Sequence, residues 1–203
     1  MTSDWAYLSR RAVQSEDNGG ASPGQRYVPS FIEYSALGRP EVNLETWRLR
    51  VRGLVERELE LSYEELRKLP QIEILSDFHC VTGWSVRGVR WKGVRISLLA
   101  EMAGVKPEAK WAKFACVDGY HTSVPIEDAL AEESIIVLEV NGSPLSREMG
   151  LPARPFIPHL YAWKSAKWLE LIEFLPYYSG GYWESRGYHP RGNVWAEERR
   201  VER

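Results

Sequence analysis

A cysteine at the end of an apolar run is the residue best suited to chemistry in this sequence. Cys80 follows the run Ile72–Leu75, which predicts a buried strand, and precedes Gly83, which predicts a turn. A thiolate is both a nucleophile and a soft metal ligand, so a strand-to-loop junction that carries one is a candidate reaction centre or metal site. The alternative is that Cys80 is a small buried hydrophobic residue, as free cysteines usually are.

A cysteine–histidine pair for hydrolysis has little support. His79 is adjacent to Cys80, and neighbouring residues on an extended strand point to opposite faces, so the two cannot easily form a dyad. His121 or His159 would have to serve as the base, and nothing specifically supports either. The sequence also contains no Cys-x-x-Cys and no Gly-x-Ser-x-Gly, which argues against a structural zinc site and an α/β-hydrolase.

A second group of candidates suits an anion. Lys164, Ser165 and Lys167 bring two ammonium groups and a hydroxyl within four residues, and Arg154 offers a bidentate contact. Cations, hydroxyls and backbone amides together suit a phosphate group. The alternative is a solvated loop whose lysines bind nothing, since lysines are usual on surfaces.

Composition limits the classes of partner. The chain has 203 residues and a formal net charge of −2, which gives no electrostatic reason to expect nucleic acid or an anionic membrane. We expect no membrane span and no signal peptide, and the two cysteines, Cys80 and Cys116, fit a reduced compartment. A cytoplasmic location is therefore predicted. Nine tryptophans and ten tyrosines favour a deep pocket or an interface.

The pattern along the chain predicts an α+β fold with a mixed, β-rich sheet and short helices. Residues 1–28 are polar and predict an N-terminal arm, and residues 29–203 predict a single domain. Residues 46–52 alternate as a half-buried strand with arginines on the solvent face. Ser62 and Glu65 predict a helix-capping box, Ser97 is predicted to cap a helix that ends at Gly104, and Asp118-Gly119 predicts a hairpin.

Four stretches together resemble the molybdopterin-binding catalytic domain of the sulfite oxidase family, over roughly residues 30–200. They are Asp77-Phe-His-Cys-Val-Thr-Gly-Trp-Ser85, Asp118-Gly-Tyr-His-Thr-Ser-Val-Pro125, Pro158-His-Leu-Tyr-Ala-Trp-Lys-Ser-Ala-Lys-Trp168 and Gly181-Tyr-Trp-Glu-Ser-Arg-Gly-Tyr-His-Pro-Arg-Gly192, the last typical of small prokaryotic members. The resemblance implies a sulfite-oxidase-type fold and a molybdenum–molybdopterin cofactor.

The resemblance also implies roles for individual residues. Cys80 matches the cysteine whose thiolate ligates molybdenum, and Tyr120 and His121 are candidates for substrate contact or proton transfer. The residues implied to hold the cofactor or form the wall of its cleft are His79, Cys80, Trp84, Arg154, His159, Trp163, Lys164, Ser165 and Lys167.

The predicted function is a molybdopterin-dependent oxidoreductase that performs two-electron oxo transfer on a small sulfur- or nitrogen-containing oxo substrate. Sulfite oxidases carry arginines just after the cysteine, and Gly83-Trp84-Ser85 stand there here, so an anionic sulfite pocket is not expected. We expect the chain to lack the haem and dimerisation domains of the eukaryotic enzymes, and we therefore expect electrons to be exchanged with a separate donor or acceptor protein. The alternative is a non-catalytic cofactor-binding or interaction subunit of a redox complex.

Overall fold

The computed structural model describes residues 21–201 of the chain. Within this range it contains two β-sheets and three short α-helices, which confirms the predicted sheet-rich α+β class. The strands are β1 (Arg26–Tyr27), β2 (Arg48–Gly53), β3 (Leu59–Ser62), β4 (Gln71–Cys80), β5 (Trp84–Arg95), β6 (Trp111–Cys116), β7 (His121–Pro125), β8 (Ile135–Val140), β9 (Ser143–Pro144), β10 (Arg154–Phe156) and β11 (Leu169–Leu175). The helices are α1 (Tyr63–Lys68), α2 (Ile96–Ala103) and α3 (Ile126–Ala129), with 3₁₀ turns at Ala162–Lys164 and Glu184–Arg186.

The first sheet carries the predicted cysteine strand. Its order is β1-β5-β8-β10, with β4 also paired to β5 and β9 to β8. Strands β4 and β5 form an antiparallel hairpin in which Cys80 pairs with Trp84, so the turn between them begins at the cysteine. The predicted strand into Cys80 is confirmed.

The second sheet has the order β3-β2-β11-β6-β7, with β2 and β11 parallel. The alternation predicted for β2 is confirmed, since Leu49 and Val51 are fully buried while Arg50 and Arg52 are exposed. The arginine face forms cross-strand ion pairs with neighbouring glutamates rather than an anion site. Cys116, at the end of β6, is buried in the core as predicted.

Of the two helix starts predicted from capping residues, one is confirmed and the other is wrong. The Ser62 hydroxyl accepts from the Glu65 amide, and the Glu65 carboxylate accepts from the Ser62 amide, which is the predicted capping box. The predicted cap at Ser97 is wrong, because α2 already begins at Ile96 and has no side-chain cap. Ile96 is fully buried, so apolar packing rather than capping sets this start. Gly104 ends the helix in the left-handed conformation, as predicted.

Part of the predicted N-terminal arm packs on the body of the protein. Residues 1–20 lie outside the described residues, but Ser22 is buried and β1 pairs in parallel with the start of β5. Strand β1 therefore lies directly beside the hairpin that carries Cys80.

Between residues 21 and 201 no helix is long and apolar enough to cross a membrane.

Candidate active site

One cavity of about 690 Å³ collects most of the predicted site residues. It is bounded by the irregular segment 31–36, the turn after β4, the 118–120 hairpin, residues 148–154 and the loop 162–168. The predicted residues that line it are Cys80, Trp84, Tyr120, Arg154, Trp163, Ser165 and Lys167. His79, His121, His159 and Lys164 are not part of its lining.

The strand geometry of β4 directs Cys80 and His79 to different surroundings. Cys80 is a free, partly exposed thiol on the cavity wall, with its Sγ 3.2 Å from the Thr82 hydroxyl. His79 is buried, and its Nδ1 lies 2.8 Å from the Ser85 hydroxyl and 3.2 Å from that of Ser22. Burial lowers the pKa of His79 to about 4, so this imidazole is neutral at pH 7. The two residues are not a catalytic dyad.

Arg154 is a buried cation without a carboxylate partner in the described part of the chain. Its guanidinium donates to the Ser165 hydroxyl at 2.9 Å, the Ser165 carbonyl at 2.8 Å and the Met149 carbonyl at 3.0 Å. Only 3 % of the residue is exposed, and burial lowers its pKa to about 10. A buried charge that has only neutral partners is costly, so this guanidinium favours an anion in the cavity.

Lys167 adds a second cation to the same cavity. Its ammonium donates to the Tyr34 carbonyl at 3.0 Å, and its pKa is lowered to about 8 by burial and, secondarily, by the charge of Arg154. Gly150 permits the close packing here: its φ is +100°, and a Cβ at this position would lie 2.8 Å from the Lys167 Cβ. Trp168, next in the chain, has a φ of +58°. The backbone is thus in an unusual conformation beside Lys167.

Lys164 lies elsewhere, although it is only three residues from Lys167. Its ammonium is almost fully buried and donates to the Glu184 carboxylate and to the carbonyls of Ser123 and Pro190. Burial lowers the pKa of Lys164, and the Glu184 carboxylate opposes that shift. All three ammonium protons therefore have partners within the protein, and the side chain ties the 184–190 segment to β7.

His159 belongs to a different buried cluster. Its Nε2 lies 2.8 Å from the Asp128 carboxylate, which also accepts two hydrogen bonds from Arg191. Hydrogen bonds from these two side chains lower the pKa of Asp128 in spite of its burial, which by itself would raise it. The cluster joins α3 to the C-terminal segment.

The two predicted proton-transfer candidates also separate. The Tyr120 hydroxyl donates to the Trp163 carbonyl at 2.6 Å, and burial raises the pKa of Tyr120 well above its usual range, so the phenol stays neutral. His121 lies on β7 opposite Ala115, outside the cavity wall. Only Tyr120 of this pair lies on the cavity.

Sequence reasoning missed several residues of the wall. Segment 31–36 covers one side of the cavity, and Trp183 and Tyr188 from the C-terminal stretch contribute aromatic surface. The high aromatic content pointed to a pocket but did not say which rings form it. Trp163 packs against Tyr188, and its indole N–H is buried without a hydrogen-bond partner among the described residues.

Comparisons with known proteins agree with this architecture. Residues 36–183 match the family model described as oxidoreductase molybdopterin binding domain. The chain is 42 % identical over 187 residues to an uncharacterized oxidoreductase, YuiH, of Bacillus subtilis, covering 92 % of this chain and 94 % of that protein. It is 33 % identical to a putative protein-methionine-sulfoxide reductase subunit, YedZ1, of Azospira oryzae, covering 73 % of this chain and 56 % of that protein.

More distant relatives are longer than this chain. Human mitochondrial sulfite oxidase is 27 % identical, over 79 % of this chain and 35 % of its own length. The crystal structure of the sulfane dehydrogenase SoxCD from Paracoccus pantotrophus has the same fold, with a TM-score of 0.66, 24 % identity and coverage of 72 % of this chain and 42 % of that one.

The chain belongs to the oxidoreductase molybdopterin-binding domain family. It is a molybdenum-cofactor-dependent oxidoreductase related to sulfite oxidase, as the sequence motifs predicted.

Proposed function

We propose that this protein performs two-electron oxo transfer on a small sulfur- or nitrogen-containing oxo substrate, at a molybdenum centre ligated by Cys80. The observation that carries the proposal is that the Cys80 thiol, the buried guanidinium of Arg154 and the ammonium of Lys167 line one cavity. A soft anionic ligand and two cations are what a metal bound to a phosphorylated cofactor requires.

The residues present fit such a cofactor. Arg154 and Lys167 have no ion-pair partner in the range 21–201, and the buried indole N–H of Trp163 also lacks an acceptor there. The same range contains no group of three or more histidine, cysteine or acidic side chains that could hold a metal ion. A single thiol therefore suits a metal whose other ligands come from the cofactor itself.

Each residue has a definable task around the cofactor. When bound, the cofactor supplies the two-electron oxo-transfer chemistry at its metal. Cys80 would ligate the metal, while Arg154 and Lys167 would hold its anionic part. The Ser165 hydroxyl donates to the Pro155 carbonyl and accepts from Arg154, so its task is to orient that guanidinium. The rings of Trp84 and Trp163 form part of the cavity wall and would limit the access of water once the cofactor is bound, and the neutral Tyr120 phenol donates a hydrogen bond to the Trp163 carbonyl.

The wall beside the cysteine favours a neutral substrate over sulfite. Gly83-Trp84-Ser85 stand where sulfite oxidases carry arginines after the cysteine, and Phe31 and Phe78 add apolar surface to the same cavity. In this proposal the cofactor occupies Arg154 and Lys167, and no cation directly follows the cysteine, so an anion such as sulfite gains little beside Cys80. One relative's name specifies protein-methionine-sulfoxide reductase, which agrees with an organic oxo substrate for this chain.

The proposal includes a separate electron donor or acceptor protein. Two relatives are named as reductase subunits, and this chain covers 56 % and 60 % of their lengths. The cytoplasmic location remains a prediction from the sequence.

Elemental analysis of the purified protein tests the proposal. We expect about one molybdenum per chain and the fluorescence of oxidised pterin in the wild type, with molybdenum and turnover lost in Cys80→Ser. The matched control is Cys116→Ala, which removes the buried cysteine and should keep both. Wild-type turnover in Cys80→Ser, or no molybdenum in the wild type, would refute the proposal.

The non-catalytic alternative makes a different prediction. A mere carrier subunit would hold molybdenum and pterin but would reduce no sulfoxide or N-oxide with an artificial electron donor. The partly exposed Cys80 on a cavity with room for a substrate favours the enzyme.

A further inference from the structure

The turn that carries Cys80 is held by residues from both ends of the described chain. The family match covers residues 36–183, yet the turn 80–83 accepts hydrogen bonds from Gln25, Arg26 and Arg199, which lie outside that range. The turn itself is tight: the Gly83 amide donates to the Cys80 carbonyl at 3.0 Å, and Gly83 has a φ of +92°.

The N-terminal segment contacts one side of the turn. The Gln25 side-chain amide donates to the Cys80 carbonyl at 3.1 Å, and its oxygen accepts from the Ser85 hydroxyl at 3.1 Å. The Arg26 amide donates to the Gly83 carbonyl at 3.0 Å. Gln25 therefore joins the last residue of β4 to the start of β5 from outside the hairpin.

Arg199 contacts the other side. Its guanidinium donates to the Val81 carbonyl, and also to the carbonyls of Gly24 at 3.1 Å and Pro23 at 3.2 Å. The fit is close, because a Cβ on Gly24 would lie 2.6 Å from the Arg199 Nη2. The guanidinium also lies 5.0 Å from the ring centre of Tyr161, which is fully buried. One side chain thus joins the C-terminal segment, the N-terminal segment and the cysteine turn.

We propose that Arg199 and Gln25 are positioning residues for the Cys80 thiol. Because peptide groups are planar, fixing the carbonyls of Cys80 and Val81 fixes the backbone on the C-terminal side of the cysteine and hence helps to fix the direction of its Cα–Cβ bond. A ligand held in place before the metal binds loses less freedom on binding, and outer contacts of this kind tune metal sites. The inference depends on the proposed function for what the thiol binds, but not for how the thiol is held.

Alkylation of the cofactor-free full-length protein tests the positioning directly. Iodoacetamide labelling, followed residue by residue with mass spectrometry, would compare wild type, Arg199→Met and Gln25→Leu. Because Cys80 is already partly exposed, we expect a looser turn to raise its labelling rate by at most roughly fivefold in Arg199→Met, the factor that corresponds to losing about one net hydrogen bond, and Gln25→Leu to act in the same direction. Arg57→Met is the matched control, since Arg57 donates twice to the Met102 carbonyl and does not touch the cavity.

Cys116 reports a loss of fold rather than of positioning. It is 3 % exposed in the core, so it should stay unlabelled in all these proteins under native conditions. Faster labelling of both cysteines would mean that Arg199 serves general stability, and equal Cys80 rates in Arg199→Met and Arg57→Met would also overturn the inference. If Arg199→Met does not fold, Gln25→Leu alone decides, and an unchanged Cys80 rate there refutes the proposal.

The loaded enzyme gives the second readout. The electron paramagnetic resonance signal of Mo(V) should change in Arg199→Met, return toward that of the wild type in Arg199→Lys and be unaffected in Arg57→Met. An unchanged signal in Arg199→Met would contradict the link between the turn and the metal. Absence of molybdenum from the wild type would refute the proposed function instead, while the labelling result on cofactor-free protein would still decide the positioning.

Discussion

The cysteine turn (residues 80–83) and the lysine loop (residues 162–167) both line the same cavity, but different physics directs their side chains. In β4 the alternation of an extended strand places Cys80 on the cavity and His79 away from it. In the lysine loop Lys167 lies on the cavity, while Lys164 is buried against Glu184. Regular backbone makes side-chain direction predictable, whereas in a loop the available partners decide it.

The two lysines also show how a cation with a structural role differs from one that is available to bind a ligand. Lys164 has a carboxylate and two carbonyls as partners, so its charge is satisfied by the protein. Lys167, together with Arg154, has carbonyl or hydroxyl partners and no ion pair in the described range. A buried or half-buried cation without a counterion is therefore the better indicator of an anion site.

We expect the largest effect from Lys164→Met, which should destabilise the fold. It would leave the Glu184 carboxylate buried without its cation, which typically costs about 3–5 kcal/mol of unfolding free energy. Urea denaturation measures it, with Lys113→Met as the control for a partly exposed lysine in a weaker ion pair, expected to cost under about 1 kcal/mol. If Lys164→Met kept full stability but lost the cofactor, Lys164 would belong with Lys167 and the contrast would fail.

Acidification should lower the stability of the fold through the buried imidazole of His79. The pKa of His79 is about 4 in the fold and 6.5 as its ordinary value, so between these values the unfolded chain binds the extra proton and stability falls as pH decreases. The neutral His79 contributes at most about 3 kcal/mol to the unfolding free energy. This contribution is fully present above about pH 6.5 and is lost as the pH falls to about 4. Unfolding free energies of wild type and His79→Gln across this range should differ in slope, and equal slopes would contradict a buried neutral imidazole.

A smaller effect is expected for Lys167→Gln, which should weaken cofactor retention without unfolding the protein. We expect roughly tenfold weaker retention at pH 7, measured as pterin and molybdenum per chain after dialysis, with Lys113→Gln unchanged. Because the pKa of Lys167 is about 8, its charge is lost as pH rises through that value, so wild-type retention should also fall above pH 8. Retention that is independent of both pH and this substitution would remove Lys167 from the anion site.

Periodic and capping patterns predicted much of the fold. The alternation of β2, the strand ending at Cys80 and the capping box at Ser62 are all local features, and the structure has them. The predicted start of α2 was wrong, because the helix begins at the buried Ile96 and not after a cap at Ser97. Local sequence identifies elements well, but tertiary packing sets some of their ends.

The site was less predictable in its irregular parts. His159 and Lys164 lie in motifs that identified the family, yet their buried partners Asp128 and Glu184 come from distant positions that no spacing rule connects to them. Segment 31–36 lines the cavity without any periodic signal.

By itself, the sequence determined the family, the class of cofactor and the opposite directions of Cys80 and His79, because these depend on motifs and on strand geometry. Only the tertiary structure decided which cations keep their charge free for a ligand. That property depends on burial and on counterions brought together from distant parts of the chain, as for Lys164 with Glu184 and for Arg154 without any carboxylate in the described range.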